Sequence, residues 1–325
     1  MNNRKGMWIA ISAVLAGIVL IFVGSIYAAP SGMSLFNIGF AGFSESKQSV
    51  NEQEFEAKDI KNIDINSSSY DVVLLRGEDD TVIVKEYVDG NENKFGQIKL
   101  EGETLVYKQN KKRWIHFGFH YRDERVEVYL PESYEGKIEI ATSSGEIKVE
   151  EEWKAEKFEV SSSSGDIKIA SVLAEKIAAS SSSGEISFGK AEGNKSISTS
   201  SGDINIGEGR GAGKYSTSSG SINVSGTSGE IKATTSSGDV SLEIAKLEDD
   251  VNVSTSSGEI EIEIPSESSF SYAGDSGSGG INTSFDEDLT YNKKRNHAEG
   301  KVGEKSPIEI STSTSSGDTT ITTAK

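Results

Sequence analysis

The sequence predicts an all-β protein. Its ectodomain reads as a β-solenoid, β-helix-like, of about ten short coils with a β-rich N-terminal cap, preceded by one transmembrane helix. Three observations predict this. The string Ser-Ser-Gly-Asp/Glu-Ile recurs at a nearly fixed interval. Apolar and polar residues alternate with period two around every copy. From Met7 to Ala29 no residue is charged.

The copies are SSGEI at 143–147, SSGDI at 163–167, SSGEI at 182–186, SSGDI at 200–204, SSGSI at 218–222, SSGDV at 236–240, SSGEI at 256–260 and SSGDT at 315–319. Their glycines are Gly145, Gly165, Gly184, Gly202, Gly220, Gly238, Gly258 and Gly317. The first seven lie 20, 19, 18, 18, 18 and 20 residues apart. A weaker copy places Gly279 next, and Gly317 follows 38 residues later, or two periods. A period near 19 is too short for a pair of packed helices and suits one coil of stacked short strands. Ser, Thr, Ile, Val and Gly fill the repeat, and the chain has only 4 Pro, so little blocks a hydrogen-bond ladder.

Two residues after each Gly stand Ile147, Ile167, Ile186, Ile204, Ile222, Val240, Ile260 and Ile281; two further on stand Val149, Ile169, Phe188, Ile206, Val224, Leu242 and Ile262. Their neighbours are polar, so one side faces a core and the other water. Seven and five residues before Gly come Phe158 and Val160, Ile177 and Ala179, Val251 and Val253. Three before it stand Thr142, Thr199, Thr217, Thr235 and Thr255, an expected internal hydroxyl ladder at a corner. The glycine itself is expected to turn the corner at positive φ, where a Cβ would clash. About ten coils at ~4.8 Å each make a rod on the order of 50 Å.

Residues 55–130 lack the motif yet alternate as strands at Ile60–Ile65, 71–75, 81–84, 97–100, 104–107 and 126–130. Ser67-Ser68-Ser69-Tyr70-Asp71 has the form of the repeat with Tyr70 in the place of Gly. This region is expected to cap the first exposed edge, leaving 131–325 as the solenoid proper.

The stretch 7–29 is long enough, at ~1.5 Å per residue, to cross a ~30 Å bilayer core as a helix. Arg4 and Lys5 precede it and the next cation is Lys47, so the positive-inside bias leaves the stub 1–6 cytoplasmic and the C-terminal domain extracytoplasmic, a single-pass protein of the cell membrane. A cleaved signal peptide is the rival reading, but its apolar core is usually only ~7–15 residues. Residues 30–54 read as a linker, with 44–54 a polar tether.

Three stretches carry a family resemblance: FxxxxIxxIxINSSSYDVVL at 55–74, VEVYLPESY at 126–134 and PIEISTSTSSGDTTI at 307–321, around the serial SSGDI coils. The chain resembles the bacterial "putative adhesin" domain family of unknown function, which includes LiaG-like envelope proteins. The resemblance covers about residues 55–325. It implies an envelope or surface role and a right-handed β-helix-like fold, and supplies no catalytic residues.

For ligand binding the most irregular segment is 108–125, KQNKKRWIHFGFHYRDER. Lys111, Lys112, Arg113 and Arg122 interleave with Trp114, Phe117, Phe119 and Tyr121 there, in a chain of net charge −18. Such a patch suits anionic lipid or an envelope polymer; a hairpin tip or inward-packed cap is the plainer reading. His116 and His120 would stand ~13 Å apart on a strand, too far to share a metal. The acidic column Glu146, Asp166, Glu185, Asp203, Asp239, Glu259 suggests calcium or, more simply, a solvated ladder. The serines two before each Gly form a hydroxyl row that corner stabilisation explains. Gly207, Gly209, Gly211 and Gly213 lack the Lys-Ser/Thr of a phosphate loop.

With no Cys the chain has no disulfide, thiolate metal site or cysteine nucleophile, and its acidity argues against nucleic acid. No cofactor is implied. The expectation is a membrane-anchored, non-enzymatic, adhesin-like or cell-envelope stress-associated binding or scaffold module. The alternatives are an accessory subunit that partners a membrane protein in cis and, more remotely, a polysaccharide-processing β-helix enzyme.

Overall fold

The computed structural model describes residues 48–89, 92–110, 124–304 and 307–324. Among these the structure is all-β, apart from two single-turn 3-10 helices. No helix among them is long and apolar enough to cross a membrane. The stub 1–6 and the expected span 7–29 lie outside the described residues.

Seven strands form the N-terminal region: β1 (Gln48–Glu56), β2 (Asn62–Asn66), β3 (Asp71–Arg76), β4 (Thr81–Asp89), β5 (Gln97–Glu101), β6 (Thr104–Lys108) and β7 (Arg125–Leu130). The coils follow as β8 (Lys137–Thr142), β9 (Ile147–Ser162), β10 (Ile167–Ser181), β11 (Ile186–Ser198), β12 (Ile204–Glu208), β13 (Gly213–Ser216), β14 (Ile222–Ser228), β15 (Ile231–Thr234), β16 (Val240–Lys246), β17 (Val251–Ser257) and β18 (Ile260–Ile264). The C-terminal region holds β19 (Phe270–Ser276), β20 (Ile281–Thr283), β21 (Leu289–Tyr291), β22 (His297–Val302), β23 (Glu309–Ser316) and β24 (Thr319–Thr323). Residues 44–54 are therefore not all tether. From Gln48 onward they form β1, which pairs antiparallel with β4 along its whole length, Val50 opposite Tyr87 and Phe55 opposite Val82.

The ladder has two faces. The front face holds the strands that follow the corner glycines, in the order β1, β4, β7, β3, β9, β10, β11, β12, β14, β16, β18, β24, β20. The back face holds those that precede them, in the order β5, β6, β2, β8, β9, β10, β11, β13, β15, β17, β23, β19, β22, β21. The long strands β9, β10 and β11 run through both faces. Parallel in-register pairing stacks like on like, so the front core is the column Val72, Ile147, Ile167, Ile186, Ile204, Ile222, Val240, Ile260. All are essentially inaccessible to water. Burying such a side chain contributes about 1.5–3 kcal/mol, and each coil depends on its neighbours to cover it.

Coil order departs from chain order at both ends. The β6/β7 level lies outside β2/β3, and β8 turns back to pair with β2 from the other side. At the far end the last coil, β23/β24, inserts between β17/β18 and β19/β20. The weak copy at Gly279 is therefore outermost, and Gly317 sits beneath it.

The motif glycines have another cause than the expected positive φ. From Gly145 to Gly258 none has it. A Cβ on Gly145 would collide with the Tyr70 carbonyl oxygen, and on each later glycine with that of the glycine below, through Gly258, Gly317 and Gly279. Close stacking of identical corners is what excludes a side chain. Left-handed glycines occur instead at the opposite corner, at Gly211 (φ 88), Gly226 (φ 60) and Gly229 (φ 86).

Candidate functional site at the N-terminal end

The repeated columns are occupied by the stacking itself. Thr217 Oγ1 donates to Gly202 O (3.1 Å), Thr235 to Gly220 O (3.0 Å), Thr255 to Gly238 O (3.1 Å) and Thr314 to Gly258 O (3.2 Å), which makes the hydroxyl ladder a coil-to-coil clamp. The residue after each glycine follows a two-coil rule. Asp71, Asp166, Asp203, Asp239 and Asp318 each accept, through Oδ1, the backbone N–H at the same position of the next coil. Those next positions are Glu146, Glu185, Ser221, Glu259 and Gly280. Asp alternates with non-Asp along the whole stack, and only the inserted last coil makes the alternation complete. The column expected to be a candidate for calcium is thus bonded to backbone N–H groups, to Lys168 from Glu146 (2.9 Å) and to Asn205 from Glu185 (2.7 Å).

The departures from the repeat gather at the N-terminal end. In the regular coils the N–H of the serine before each Gly donates to the corner below, as Ser164 does to Ser143 O (3.0 Å). The corner at Tyr70 has Gln109 instead: its Oε1 accepts from Ser69 N (2.9 Å), Ser68 N (2.5 Å) and Ser67 Oγ (3.1 Å). One side-chain amide replaces the carbonyls of a missing coil. Inside the same end Glu86 points into the core from β4 with no exposure. It accepts from the Tyr107 hydroxyl (2.8 Å) and from Gly96 N (2.8 Å), tying the crossover after β4 to the back face. Burial pushes the Glu86 carboxyl up despite these donors.

On the outer surface, β4 and β7 align Tyr87 with Arg125 and Lys85 with Glu127. The Arg125 guanidinium stacks 3.9 Å from the Tyr87 ring centre, and Lys85 sits 5.2 Å from that of Tyr129. Glu127 accepts from Arg125 Nε (2.6 Å) and the Tyr129 hydroxyl (2.7 Å). Burial works to raise the Glu127 carboxyl, but these donors outweigh it and hold it below the usual range. Burial and the Glu127 charge push Tyr129 up to about 12.

Beside this surface lies a cleft of about 730 Å³, walled by Glu56, Asp80, Glu135 and Glu156 among the acids and Lys58, Lys61 and Lys137 among the bases. The Tyr134 hydroxyl fixes its floor, 3.1 Å from Lys61 O and 3.0 Å from Lys137 O. A second hollow of about 420 Å³ shares Asp80 and Ser133. Arg76 closes it, bonded to Glu151 (2.7 Å), Glu132 (3.1 Å) and Glu152 O (3.0 Å) and stacked on Trp153.

The sequence-predicted ligand residues Lys111, Lys112, Arg113, Trp114, Phe117, Phe119, Tyr121 and Arg122 lie outside the described residues, as do His116 and His120. Sequence reasoning did not find the cleft, whose walls come from four separate segments. It also missed Lys195, which faces inward beside Ile177 and is 4% exposed. Its Nζ donates to Gly193 O (2.8 Å), Arg210 O (2.6 Å) and Gly211 O (3.1 Å), and burial pushes it down to about 8. The signal was available, since Lys195 stands seven before Gly202, a core position. The Gly-rich run 207–213 supplies two of those carbonyls.

A family model described as Toastrack DUF4097 matches residues 60–322. The chain belongs to this family. Toastrack is a domain family of unknown function, in agreement with the adhesin-type resemblance of the motifs. Among solved structures similar to the chain, a protein from Parabacteroides distasonis called a putative lipid binding protein gives a TM-score of 0.52 at 19% identity, over 85% of this chain and 97% of its own. A putative adhesin from Parabacteroides merdae gives 0.52 at 14% identity, over 86% and 97%. These likenesses bear on the fold. No curated protein matches the chain.

Proposed function

We propose that this Toastrack protein is a membrane-anchored, extracytoplasmic binding or scaffold module that works without catalysis, and that its N-terminal end is the binding end. The observation that carries the reading is the gathering of the cleft and the aromatic–cation surface on one end of an otherwise self-satisfied stack. The anchor is the apolar stretch 7–29. Because the chain joins the solenoid through β1 on that same end, the reading favours a ligand or partner near the bilayer: anionic lipid, envelope polymer or a membrane protein in cis.

The test is binding of the purified protein to anionic vesicles, wall polymer and intact cells at low and high salt. Saturable binding to one fraction, weakened by Arg113→Glu or by Lys58→Glu with Lys61→Glu, is expected. Binding that none of these changes alters would exclude this end. The polysaccharide-processing reading is favoured by one observation, the mixed acids and lysines of the cleft. It requires release of reducing sugar from envelope polysaccharide that Asp80→Asn or Glu156→Gln abolishes.

A further inference from the structure

We propose that the two faces of the solenoid bind one another between copies: the back face of one copy receives the front face of a second. The observation is a pair of like-charge pairs on opposite faces. On the back face Lys214 of β13 stands directly opposite Lys232 of β15. Both are exposed, and among the described residues neither has an acid within ion-pair distance. On the front face Glu243 of β16 stands directly opposite Glu263 of β18, with no cation among the described residues in ion-pair reach of either. Like charges opposed on neighbouring strands destabilise a sheet.

Elsewhere the same ladder mostly neutralises such neighbours, Asp64 opposite Glu139 on the back face being an exception. Lys157 pairs with Glu159 (2.7 Å), Lys148 with Glu150 (2.5 Å) and Lys168 with Glu146 (2.9 Å). These two pairs have opposite sign and one spacing, because both are set by the coil pitch of ~4.8 Å. What repels within a copy therefore attracts between copies. The surface around the lysines is level: Ser196, Ser198, Ser216 and Thr234 fill the adjoining positions. At physiological salt the net charge of −18 is screened beyond about 8 Å, while ion pairs in contact persist. Such a contact joins two different surfaces, so every joined pair leaves one of each free and side-by-side rows can grow.

The test is sedimentation of the full-length chain in mild detergent over a concentration series. Larger species are expected to rise with concentration and to recede at ~1 M salt. Lys214→Glu with Lys232→Glu in one variant, and Glu243→Lys with Glu263→Lys in another, should each weaken association about tenfold or more. Mixed in equal amounts, the two variants should associate again, because each then meets a face of opposite charge. Monomers at every concentration would overturn the proposal, as would association that neither variant changes. Monomers whose lysine variant alone loses retention on a polyanion would also overturn it and assign Lys214 and Lys232 to an anionic polymer.

Discussion

The middle coils and the two ends of this solenoid solve one problem by different means. Between β9 and β18 each exposed edge is covered by a copy of itself. The corner glycine, the serine or threonine three before it and the residue after it recur in each coil, and the coil below answers each polar group. At the N-terminal end no further copy exists, and single residues take over: Gln109 stands in for a corner's carbonyls and Glu86 holds the crossover to Tyr107 and Gly96. The C-terminal end adds the hairpin partner β22 and a turn in which Asp286 bonds Tyr291 (2.7 Å) and Arg295 (2.9 Å). The comparison teaches that repetition supplies stability and only the ends have freedom to be specific.

The sharpest break of the middle is Ile204→Asp. It puts an unpaired charge among fully buried residues, and a loss of about 3–5 kcal/mol in denaturant unfolding is expected. Next is Gly202→Ala, whose methyl group would meet Gly184 O; overpacking of stacked backbone should remove about 3 kcal/mol. Gly226→Ala, strained chiefly by φ 60 and by no backbone collision, should cost about 1–2 kcal/mol. Equal midpoints for these two glycine variants would contradict the stacking explanation.

Lys195 tests the middle through pH. Its folded pKa of about 8 lies below its ordinary 10.5, so the folded state releases the proton first. Stability from this group is therefore fully present above 10.5 and lost as pH falls through about 8. Relative to Lys195→Met, the native chain should gain on the order of 3 kcal/mol between those limits, read from unfolding midpoints. A parallel pair of profiles would show that the three carbonyls keep the proton bound.

Gln109→Ala tests the N-terminal end. Three donors lose their acceptor, and a loss of about 1–2 kcal/mol is expected, with faster hydrogen exchange at Ser68 and Ser69 and unchanged protection in β12. The smallest effect belongs to Asp203→Ala. The side chain is exposed but accepts from Ser221 N (2.8 Å), so about 1 kcal/mol is expected rather than none.

Much of this architecture was legible because a coil is a local unit. The alternation around Gly165 or Gly202 names inward and outward residues without knowledge of what lies above. Tyr70 in the glycine's place also proved to be the floor of the column, under Gly145. Coil order was not legible, since a coil 38 residues away fits a corner as well as one 21 away. Its trace was present in the Asp alternation, where Glu259 and Gly280 need Asp318 between them. The candidate site was the least legible part. The cleft walls gather from 56–62, 80, 133–137 and 156, which no spacing links. Glu86 breaks the inward row of Val82, Val84 and Val88, and only Tyr107 facing it shows why.

The most direct test of the central claim, that place in the stack rather than place in the chain decides each residue's partners, is crosslinking at the C-terminal end. The chain has no cysteine, so introduced pairs report alone. Glu261 pairs with Thr320, and Thr320 with Asn282, on the exposed front face. Glu261→Cys with Thr320→Cys, and Thr320→Cys with Asn282→Cys, should each crosslink readily with an oxidant or a short bifunctional reagent, being one strand spacing of ~4.8 Å apart. Glu261→Cys with Asn282→Cys, two spacings apart, should not form a disulfide. Efficient disulfide formation in that last pair, with none between Thr320→Cys and Asn282→Cys, would mean the coils stack in chain order and would contradict the account.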